Sequence, residues 1–479
     1  MPIPVEYPHH AAKQAHTAEK PIENPYVLST TTSGKKKLGQ CSGLKARCVN
    51  NKPLGVLCLL LALNACAPLP PLKHTDTPQA EHTLGSPWWT QFHSEQLNAL
   101  VLTALKNNHN LLAAQARIRA AQASLEAAYG KTFPTLTANG NVSSQFISAS
   151  LNASYEVDMW AKVRQAEQSA HFQFQATQFE HDTTQISVAG QVTLAWLQWI
   201  AANQTIALLQ TEQQNHQTNL QLIELRFRQG IAQASDVLQQ RQLLESAQGN
   251  LSTAQANRDV ALTALATLLG QAPNTLALQE EALPQINTAP SPSVPTDLLE
   301  RRPDLQQAKA LLHAADSNLA AAIAAQFPQL TLSASWSDQA RNTNLLFDNW
   351  VRNLSINLVA PLLDGSARAA EVQRQRALLD QALAQYQQAA LNALADVHNA
   401  LTQEHRQAEL VRSLEMQLQL AQTSLNRLFA GYRNGSESYI AILNAQQSVS
   451  ALQRNVIVAK HLLLNFRVAL YKAISGDLK

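Results

Sequence analysis

The side chains that could support catalysis in this chain are its histidines, carboxylates and serines. The chain has 479 residues, and 14 of them are histidines. Its sequence contains no His-Glu-x-x-His zinc motif, no glycine-rich phosphate loop and no serine nucleophile elbow. His398 and His405 share a helix face at a spacing of seven residues, but such pairs are more often solvated or intersubunit polar groups than ligands. We therefore expect no enzymatic activity, no metal site and no bound cofactor.

One cysteine predicts a covalent modification. The apolar run Val56–Leu63 follows Lys52 and leads directly into Leu63-Asn64-Ala65-Cys66. A short apolar segment behind a basic residue is typical of a secretory signal, and it is far below the ~20 residues of a transmembrane helix. The quartet resembles the bacterial lipobox, which implies cleavage before Cys66 and a diacylglycerol on its sulfur. The alternative is a plain signal peptide with an incidental cysteine.

Cleavage before Cys66 would also change the cysteine content and the charge of the chain. Residues 49–65 are then the signal peptide, and we expect residues 1–48 not to be translated or to be removed, with translation starting near Val49. Cys41, Cys48 and Cys58 lie upstream, so the mature chain has no intramolecular disulfide and no cysteine-based metal site. Residues 1–65 hold 8 of the 36 Lys and Arg and 3 of the 34 Asp and Glu, which leaves 28 and 31 and a net charge of −3. This balance gives no support for nucleic-acid binding.

Two stretches alternate strictly between apolar and polar residues, from Ile147 to Asp158 and from Asn353 to Ala360. A period of two indicates a strand with one apolar and one polar face. Strands of about 9–11 residues with this pattern suit a membrane β-barrel. Five aromatic residues near strand ends are candidates for the membrane interface or, equally, for a core. They are Tyr155, Trp160, Trp336, Phe347 and Trp350.

The rest of the chain has the periodicity of long helices. The aromatic content is only 5% and the charged content 15%, which suits closely packed helices. A helix of about 67 residues is predicted from Lys162 to Arg228, ~100 Å long. Its apolar residues step by three and four, and the helix that returns after Gly230 has the same rhythm. The sequence therefore predicts an antiparallel helical hairpin, with Ser235 and Asp236 as candidate caps.

The same plan occurs twice along the chain. Phe133-Pro134-Thr135-Leu136 matches Phe327-Pro328-Gln329-Leu330 at an offset of 194 residues, and Gly230 matches Gly435 at an offset of 205. We expect the following division: 66–90 lipid anchor and linker; 91–270 first repeat, with strands at about 135–159 and a hairpin at about 162–270; 271–297 linker; 298–479 second repeat, with strands at about 329–361 and a hairpin at about 366–474. Four strands are too few to close a membrane barrel, so other subunits must complete it. The alternative is a small soluble sheet that caps a coiled coil.

Five motifs give the chain a resemblance to a known family. They are Pro87-Trp88-Trp89-Thr90-Gln91-Phe92, Ser154-Tyr155-Glu156-Val157-Asp158-Met159-Trp160, Leu298-Leu299-Glu300-Arg301-Arg302-Pro303-Asp304-Leu305, Ala360-Pro361-Leu362-Leu363-Asp364-Gly365 and Ala469-Leu470-Tyr471-Lys472-Ala473. Together they resemble the outer membrane factors of the TolC/OprM type, in the NodT-like lipoprotein branch. Within the third motif, we interpret Pro303 and Asp304 as the start of a helix.

The resemblance implies a mainly α-helical protein with a β membrane part. Three chains would form a twelve-stranded barrel in the outer membrane of a Gram-negative bacterium and a helical tube in the periplasm. Such proteins are passive exit ducts that dock with a periplasmic adaptor and an inner-membrane pump. Ala67 after the lipid-bearing cysteine is similar to lipoproteins sent to the outer membrane. The alternative is that the protein is not a channel but a periplasmic coiled-coil lipoprotein without a pore, with a structural or adaptor role.

The hairpin tips are the candidate functional residues of such a duct. By the family's Gly-x-x-x-Tyr spacing, the acidic member of the periplasmic gate is Glu437, where the family usually has Asp. We hypothesise that Tyr432, Arg433 and Glu437 tie the tips shut through intersubunit hydrogen bonds. The alternative for these residues is solvated helix-end charges and caps. The expected tip residues and adaptor contacts are Arg228, Gly230, Asp236 and Gly435, and our preferred interpretation of the two glycines is that they are C-cap glycines in the left-handed conformation.

Overall fold

The computed structural model describes residues 87–273, 275–285, 301–342 and 345–474. Residues 1–48, the signal peptide and Cys66 lie outside these ranges. The described chain begins with a 3₁₀ helix at Trp88–Phe92, helix α1 at Glu95–Asn107 and helix α2 at His109–Gly130. The sequence has a helical pattern from about Gln91 to Tyr129, but the structure divides it at Asn108 into two helices. The Asn108 side chain accepts hydrogen bonds from the backbone N–H groups of Asn110 and Leu111, so it caps α2 instead of continuing α1.

Four strands form one antiparallel sheet in chain order. They are β1 (Thr135–Val142), β2 (Ile147–Val157), β3 (Gln329–Ala340) and β4 (Val351–Val359). The prediction of four strands in two hairpins is confirmed. The structure adds the pairing of the two hairpins with each other, since β2 and β3 are paired from Ile147 opposite Ala340 to Val157 opposite Leu330. Strands β1 and β4 are therefore the two edges of the sheet.

Each half of the chain continues from its strand pair into a long helix and a shorter returning helix. The first half has α3 (Lys162–Arg228) and α4 (Ala234–Leu268). After helix α5 (Pro303–Ala324), which precedes β3, the second half has α6 (Ala367–Arg433) and α7 (Tyr439–Ala473). Helices α3 and α6 both contain 67 residues, and α4 and α7 both contain 35. The predicted long helical hairpins are thus confirmed.

Small residues at heptad spacing allow the helices to pack closely. In α4, Ala247, Ala254 and Ala261 are buried at steps of seven residues. In α6, Ala393, Val397 and Ala400 are buried at steps of four and three residues, whereas Leu383, ten residues before Ala393, is 43% exposed. One chain therefore buries only part of the α6 seam.

The main apolar core lies where the N-terminal segment meets the middle of α3 and the end of α7. Trp88 and Trp89 of the 3₁₀ helix are buried there, and the ring of Trp88 lies 5.6 Å from that of Tyr471. Trp196 of α3 is fully buried in the same cluster. Helix α3 contains an 18-residue window that is apolar enough to cross a membrane by composition, but 56% of that window is buried within the protein. Its apolar residues therefore form the core of the helical part.

One buried arginine, Arg302, connects helices that are distant in sequence. Arg302 begins α5 beside Pro303, and its guanidinium donates hydrogen bonds to Asp304, Asp396 and the carbonyl oxygen of Ala473. These contacts join the start of α5 to α6 and to the end of α7. Arg302 is 8% exposed, so most of these bonds are shielded from water.

Candidate functional site

The register of the sheet separates polar and apolar side chains onto opposite faces. Ser150 of β2 is opposite Asn139 of β1 and Ser337 of β3, and Ser355 of β4 is opposite Ser333. Apart from Val351 and Val359 at the ends of β4, this polar face carries hydroxyl, amide and carboxylate groups. It comprises Thr135, Thr137, Asn139, Asn141, Ser148, Ser150, Asn152, Ser154, Glu156, Gln329, Thr331, Ser333, Ser335, Ser337, Gln339, Asn353, Ser355 and Asn357.

The apolar face carries the remaining residues of the four strands. It comprises Leu136, Ala138, Gly140, Val142, Ile147, Ala149, Leu151, Ala153, Tyr155, Val157, Leu330, Leu332, Ala334, Trp336, Ala340, Leu354, Ile356 and Leu358, with Asp338 and Arg352 as its two charged members. Leu354 is 80% exposed and Ile356 71%. In the described part of the chain, no helix lies along either face. A large exposed apolar surface of this kind marks a site of membrane or protein contact.

Both edges of the sheet are open within one chain. Every residue of β1 and of β4 is exposed, and each of these strands has a single partner among the described strands. Unpaired edge N–H and C=O groups are a template for pairing with another strand. The described sheet therefore offers an unpaired edge on both sides.

Aromatic side chains lie at both ends of the apolar face. Near the helices, the ring of Trp160 stacks on Phe327 at 4.7 Å, and its indole N–H donates to the carbonyl oxygen of Pro328 at 2.9 Å. At the far end, the rings of Trp336 and Trp350 lie 5.6 Å apart. The step of nine positions from Phe327 to Trp336 extends ~30 Å along the strand, or ~23 Å along a barrel axis at a tilt of about 40°. That separation is close to the ~25 Å apolar band of outer membrane barrels.

Left-handed glycines make the turns at both helical tips. Gly230 has φ 72° and Gly435 has φ 77°, which confirms the predicted left-handed conformation, and each follows the C-cap residue of its helix, Gln229 or Asn434. Arg228 is the last residue of α3. The predicted cap Ser235 lies inside α4, whose N-cap is Gln233, and the Asp236 carboxylate accepts a hydrogen bond from the Gln233 backbone N–H at 3.0 Å.

The predicted gate residues lie together at the second tip. The rings of Tyr432 and Tyr439 are 5.9 Å apart, and burial raises the pKa of the Tyr439 hydroxyl. The side chain of Glu437 lies so close to Gly431 that a Cβ at that position would meet it at 2.5 Å. No described carboxylate of the same chain lies within 4.0 Å of Arg433. The hypothesis of bonds between subunits for Arg433 and Glu437 stays a prediction.

One tip residue was missed by the sequence analysis. Arg226 of α3 places its guanidinium 5.5 Å from the ring centroid of Tyr432, so the two hairpins meet at the tip through a cation–π contact. Arginine and tyrosine separated by 206 positions carry no periodic signal, which is why only the fold could pair them. Among the described residues, the neighbouring Arg228 makes no such contact with Tyr432.

A second contact between the hairpins lies further from the tip. Glu212 of α3 is buried, and the guanidinium of Arg454 of α7 donates to both of its oxygens at 2.7 and 2.6 Å. His216 lies one turn further along α3, where Gln240 donates a hydrogen bond to its carbonyl oxygen at 3.0 Å. Burial lowers the pKa of the His216 imidazole, an effect that Glu212 partly offsets. Burial also lowers the pKa of His461 in α7.

These two histidines predict a loss of stability in acid. Because their pKa values are lower in the folded state than the ordinary value near 6.5, protonation favours the unfolded state. The stability that comes from burying the neutral histidines is complete above about pH 6.5. It is lost as the pH falls from there toward the folded-state pKa. We expect the melting temperature to fall between about pH 7.5 and about pH 5.5, and His216→Gln to reduce that fall. Circular dichroism melts would measure it, with the exposed His405→Gln as control. An identical pH dependence in all three proteins would contradict the prediction.

The described residues contain no group of three or more His, Cys, Asp or Glu side chains that could hold a metal ion. His398 and His405 both lie exposed on α6, and His405 is 3.5 Å from Glu409. The sheet and the tips are therefore the structural features on which a functional assignment can rest.

Comparison with known proteins agrees with this geometry. A family profile described as outer membrane efflux protein matches residues 100–271 and again residues 294–476. The pyoverdine export outer membrane protein OpmQ of Pseudomonas aeruginosa is 31% identical over 411 residues, which cover 81% of this chain and 87% of that protein. OpmQ of Pseudomonas putida is 32% identical, with 88% of this chain and 97% of that protein covered. The solved structure of the outer-membrane channel OprN matches with a TM-score of 0.78 and 26% identity, covering 82% of this chain and 92% of that one.

Proposed function

The chain belongs to the outer membrane efflux protein family, and we propose that three copies of it enclose a passive exit duct for small molecules. The observation that carries this proposal is the two-faced, open-edged sheet. Its apolar face suits lipid, and its polar face suits a water-filled lumen. An open edge in lipid leaves unpaired backbone groups at several kcal/mol each, so β4 of one chain must pair with β1 of the next.

Three chains give a closed assembly of reasonable size. The described part of each chain contributes four strands, so three chains supply twelve, within the range of known membrane barrels. The helical part supports the same arrangement, because α6 exposes apolar side chains that a neighbouring chain could cover. Its exposed leucines include Leu378, Leu383, Leu391, Leu394, Leu410 and Leu420.

We also propose that the chain consists of two similar halves, which form an internal repeat. The equal lengths of α3 and α6, and of α4 and α7, support it, as does the double match of the family profile. Two similar halves per chain would give six similar units in the trimer. The helical hairpins of all six would then surround one channel, with the tips at the periplasmic end.

The anchor and the partners complete the proposal. Cys66 carries the lipid that holds the mature N-terminus in the outer membrane. The tips around Arg228, Gly230, Asp236 and Gly435 contact a periplasmic adaptor, and an inner-membrane pump supplies the energy. The two pyoverdine-export relatives support a small molecule as the cargo, without naming it.

For the gate, we propose that Tyr432, Arg433 and Glu437 close the second tips against one another. Exposed charge pairs contribute only ~0–1 kcal/mol each, so an adaptor could open a threefold set of them. We expect Glu437→Ala to raise the conductance and the leak of single channels in planar bilayers several-fold. Glu245→Ala, an exposed acidic residue on α4, is the matched control. Unchanged conductance and leak in Glu437→Ala would exclude this gate.

Extraction and conductance together test the duct. We expect Cys66→Ser to remain in the membrane after carbonate treatment, to need detergent for release and to form pores in planar bilayers. A periplasmic coiled-coil lipoprotein without a pore would instead be released by salt or carbonate once its lipid is removed. Release of that kind, together with an absence of conductance, would overturn the proposal.

A further inference from the structure

The far end of the apolar face combines aromatic rings with a charged group. Arg352 of β4 lies directly opposite Trp336 of β3 in the register, and its guanidinium is 4.9 Å from the centroid of the indole ring. The ring of Trp350 lies 5.6 Å from that of Trp336, and the ring of Phe347 stacks on Trp350 at 5.8 Å. These four side chains form a continuous row across β3, β4 and the loop that joins them. We call this the outer row.

A buried carboxylate fixes the outer row in place. Asp338 is 2% exposed, and its Oδ2 accepts hydrogen bonds from the backbone N–H groups of Phe347 and Asn349. Phe347 has φ 81°, a left-handed conformation that bulky residues rarely adopt. Strain of this kind persists only where the surroundings hold it, and it is concentrated at functional positions. The loop is therefore held so that the Phe347 and Trp350 rings lie beside Trp336.

The guanidinium N–H groups of Arg352 are available to donate hydrogen bonds to a partner outside the described chain. Among the described residues, no carboxylate lies within 4.0 Å of its guanidinium, and it donates no hydrogen bond. The other charged groups at this end, Arg341 and Asp348, are exposed and form no described ion pair with it. An arginine stacked on an indole keeps its planar N–H edge available for a bidentate bond to a phosphate. Arginine on the lipid face is costly at the midplane of a barrel but much less so near the interface, where its N–H edge can reach headgroup phosphates.

We infer that Arg352 and Trp336 bind the phosphate of a lipid headgroup in the outer leaflet of the outer membrane. This inference rests on the proposed barrel, in which the strand loops lie at the end of the sheet away from the helices. The ~23 Å between the inner aromatic pair and Trp336 places the outer row at the opposite membrane interface. There the guanidinium meets the headgroup phosphates while the three rings contact acyl chains. The occupant is a phosphorylated lipid rather than a soluble anion, because the rings beside the guanidinium face hydrocarbon.

Lipid A added to delipidated trimers in detergent is the probe, and native mass spectrometry reads the bound lipid. We expect Arg352→Gln to weaken binding about ten-fold, which corresponds to ~1.4 kcal/mol. Arg352→Lys should keep part of the binding, because it retains the charge and loses the bidentate geometry. Arg376→Gln, an exposed arginine on α6 outside the sheet, is the charge-matched control and should bind as the wild type does. Inorganic phosphate in excess should not displace the lipid.

Each other result would overturn the inference. Equal binding by Arg352→Gln and the wild type would exclude Arg352, and displacement by inorganic phosphate would mark a soluble-anion site instead. A wild type that conducts in planar bilayers but binds no lipid A would refute the lipid site while leaving the duct intact. A wild type that neither conducts nor needs detergent would refute the duct itself. Retained trimer assembly in Arg352→Gln separates a loss of binding from a loss of folding.

Discussion

Ile356→Arg should abolish assembly of the protein in the outer membrane. Ile356 lies near the middle of β4 on the apolar face and is 71% exposed in one chain. An arginine facing lipid at the midplane of a barrel costs ~2–4 kcal/mol, and a trimer contains three of them, for ~6–12 kcal/mol in all. That is comparable with the whole stability of an ordinary domain, ~5–15 kcal/mol. We expect more than a ten-fold loss of trimer in outer membrane fractions, measured by semi-native gel electrophoresis.

The adjacent residue provides the control. Ser355 directly precedes Ile356 in the same strand and lies on the polar face, where Ser333 is its partner in the register. Ser355→Arg adds the same charge and volume, so the trimer should assemble and only its conductance and ion selectivity should change. If the two variants assembled equally well, the apolar face would not contact lipid, and the sheet would have to be covered in another way.

Glu404→Ala should strongly destabilise the helical part. Glu404 of α6 and Arg467 of α7 are both buried, and the Arg467 Nε donates to Glu404 Oε1 at 2.9 Å. Removing one partner leaves the other charge buried and uncompensated, which costs ~3–5 kcal/mol. Detergent-solubilised protein should therefore unfold at a clearly lower urea concentration. Glu371→Ala, which removes an exposed carboxylate paired with Arg374 on α6, should leave the unfolding midpoint unchanged.

A double variant separates the loss of the pair from the burial of a single charge. Replacing a buried ion pair with apolar residues of similar size is often neutral or stabilising. We therefore expect Glu404→Leu with Arg467→Met to regain most of the stability that either single change loses. A double-mutant cycle measures this coupling directly. Additive losses in the double variant would mean that the two side chains do not stabilise each other in the folded protein.

The elements with a regular pattern could be predicted from the sequence. Alternation from Ile147 to Asp158 predicted the two faces of β2, which spans Ile147–Val157. The absence of proline between Lys162 and Arg228 and the heptad steps predicted α3 with its observed ends. Glycines that follow long helices predicted the left-handed turns at Gly230 and Gly435. In each case the signal is local, because it repeats within a few residues or sits at a single turn.

The contacts between distant segments could not be predicted in the same way. Pairing of β2 with β3 joins residues about 180 positions apart, and the alternation of each strand is compatible with many partners. The Glu212–Arg454 pair and the Arg302 contacts with Asp396 and Ala473 depend on which helices meet, and no periodicity in the sequence specifies that. The outer row was seen only in part, since its aromatic residues were assigned to strand ends while Arg352 and Asp338 had no pattern to mark them.

Covalent cross-linking of the sheet edges tests the shared barrel most directly. Cysteines at Asn139 on β1 and Ser355 on β4 lie on the polar face of opposite edges, and a short bis-maleimide would tolerate an unknown register between chains. The wild type, without the added cysteines, is the control. The proposed closed ring predicts denaturing gels with bands of one, two and three chains and none larger. Bands confined to one chain, from a water-soluble protein, or a ladder that continues beyond three would contradict it.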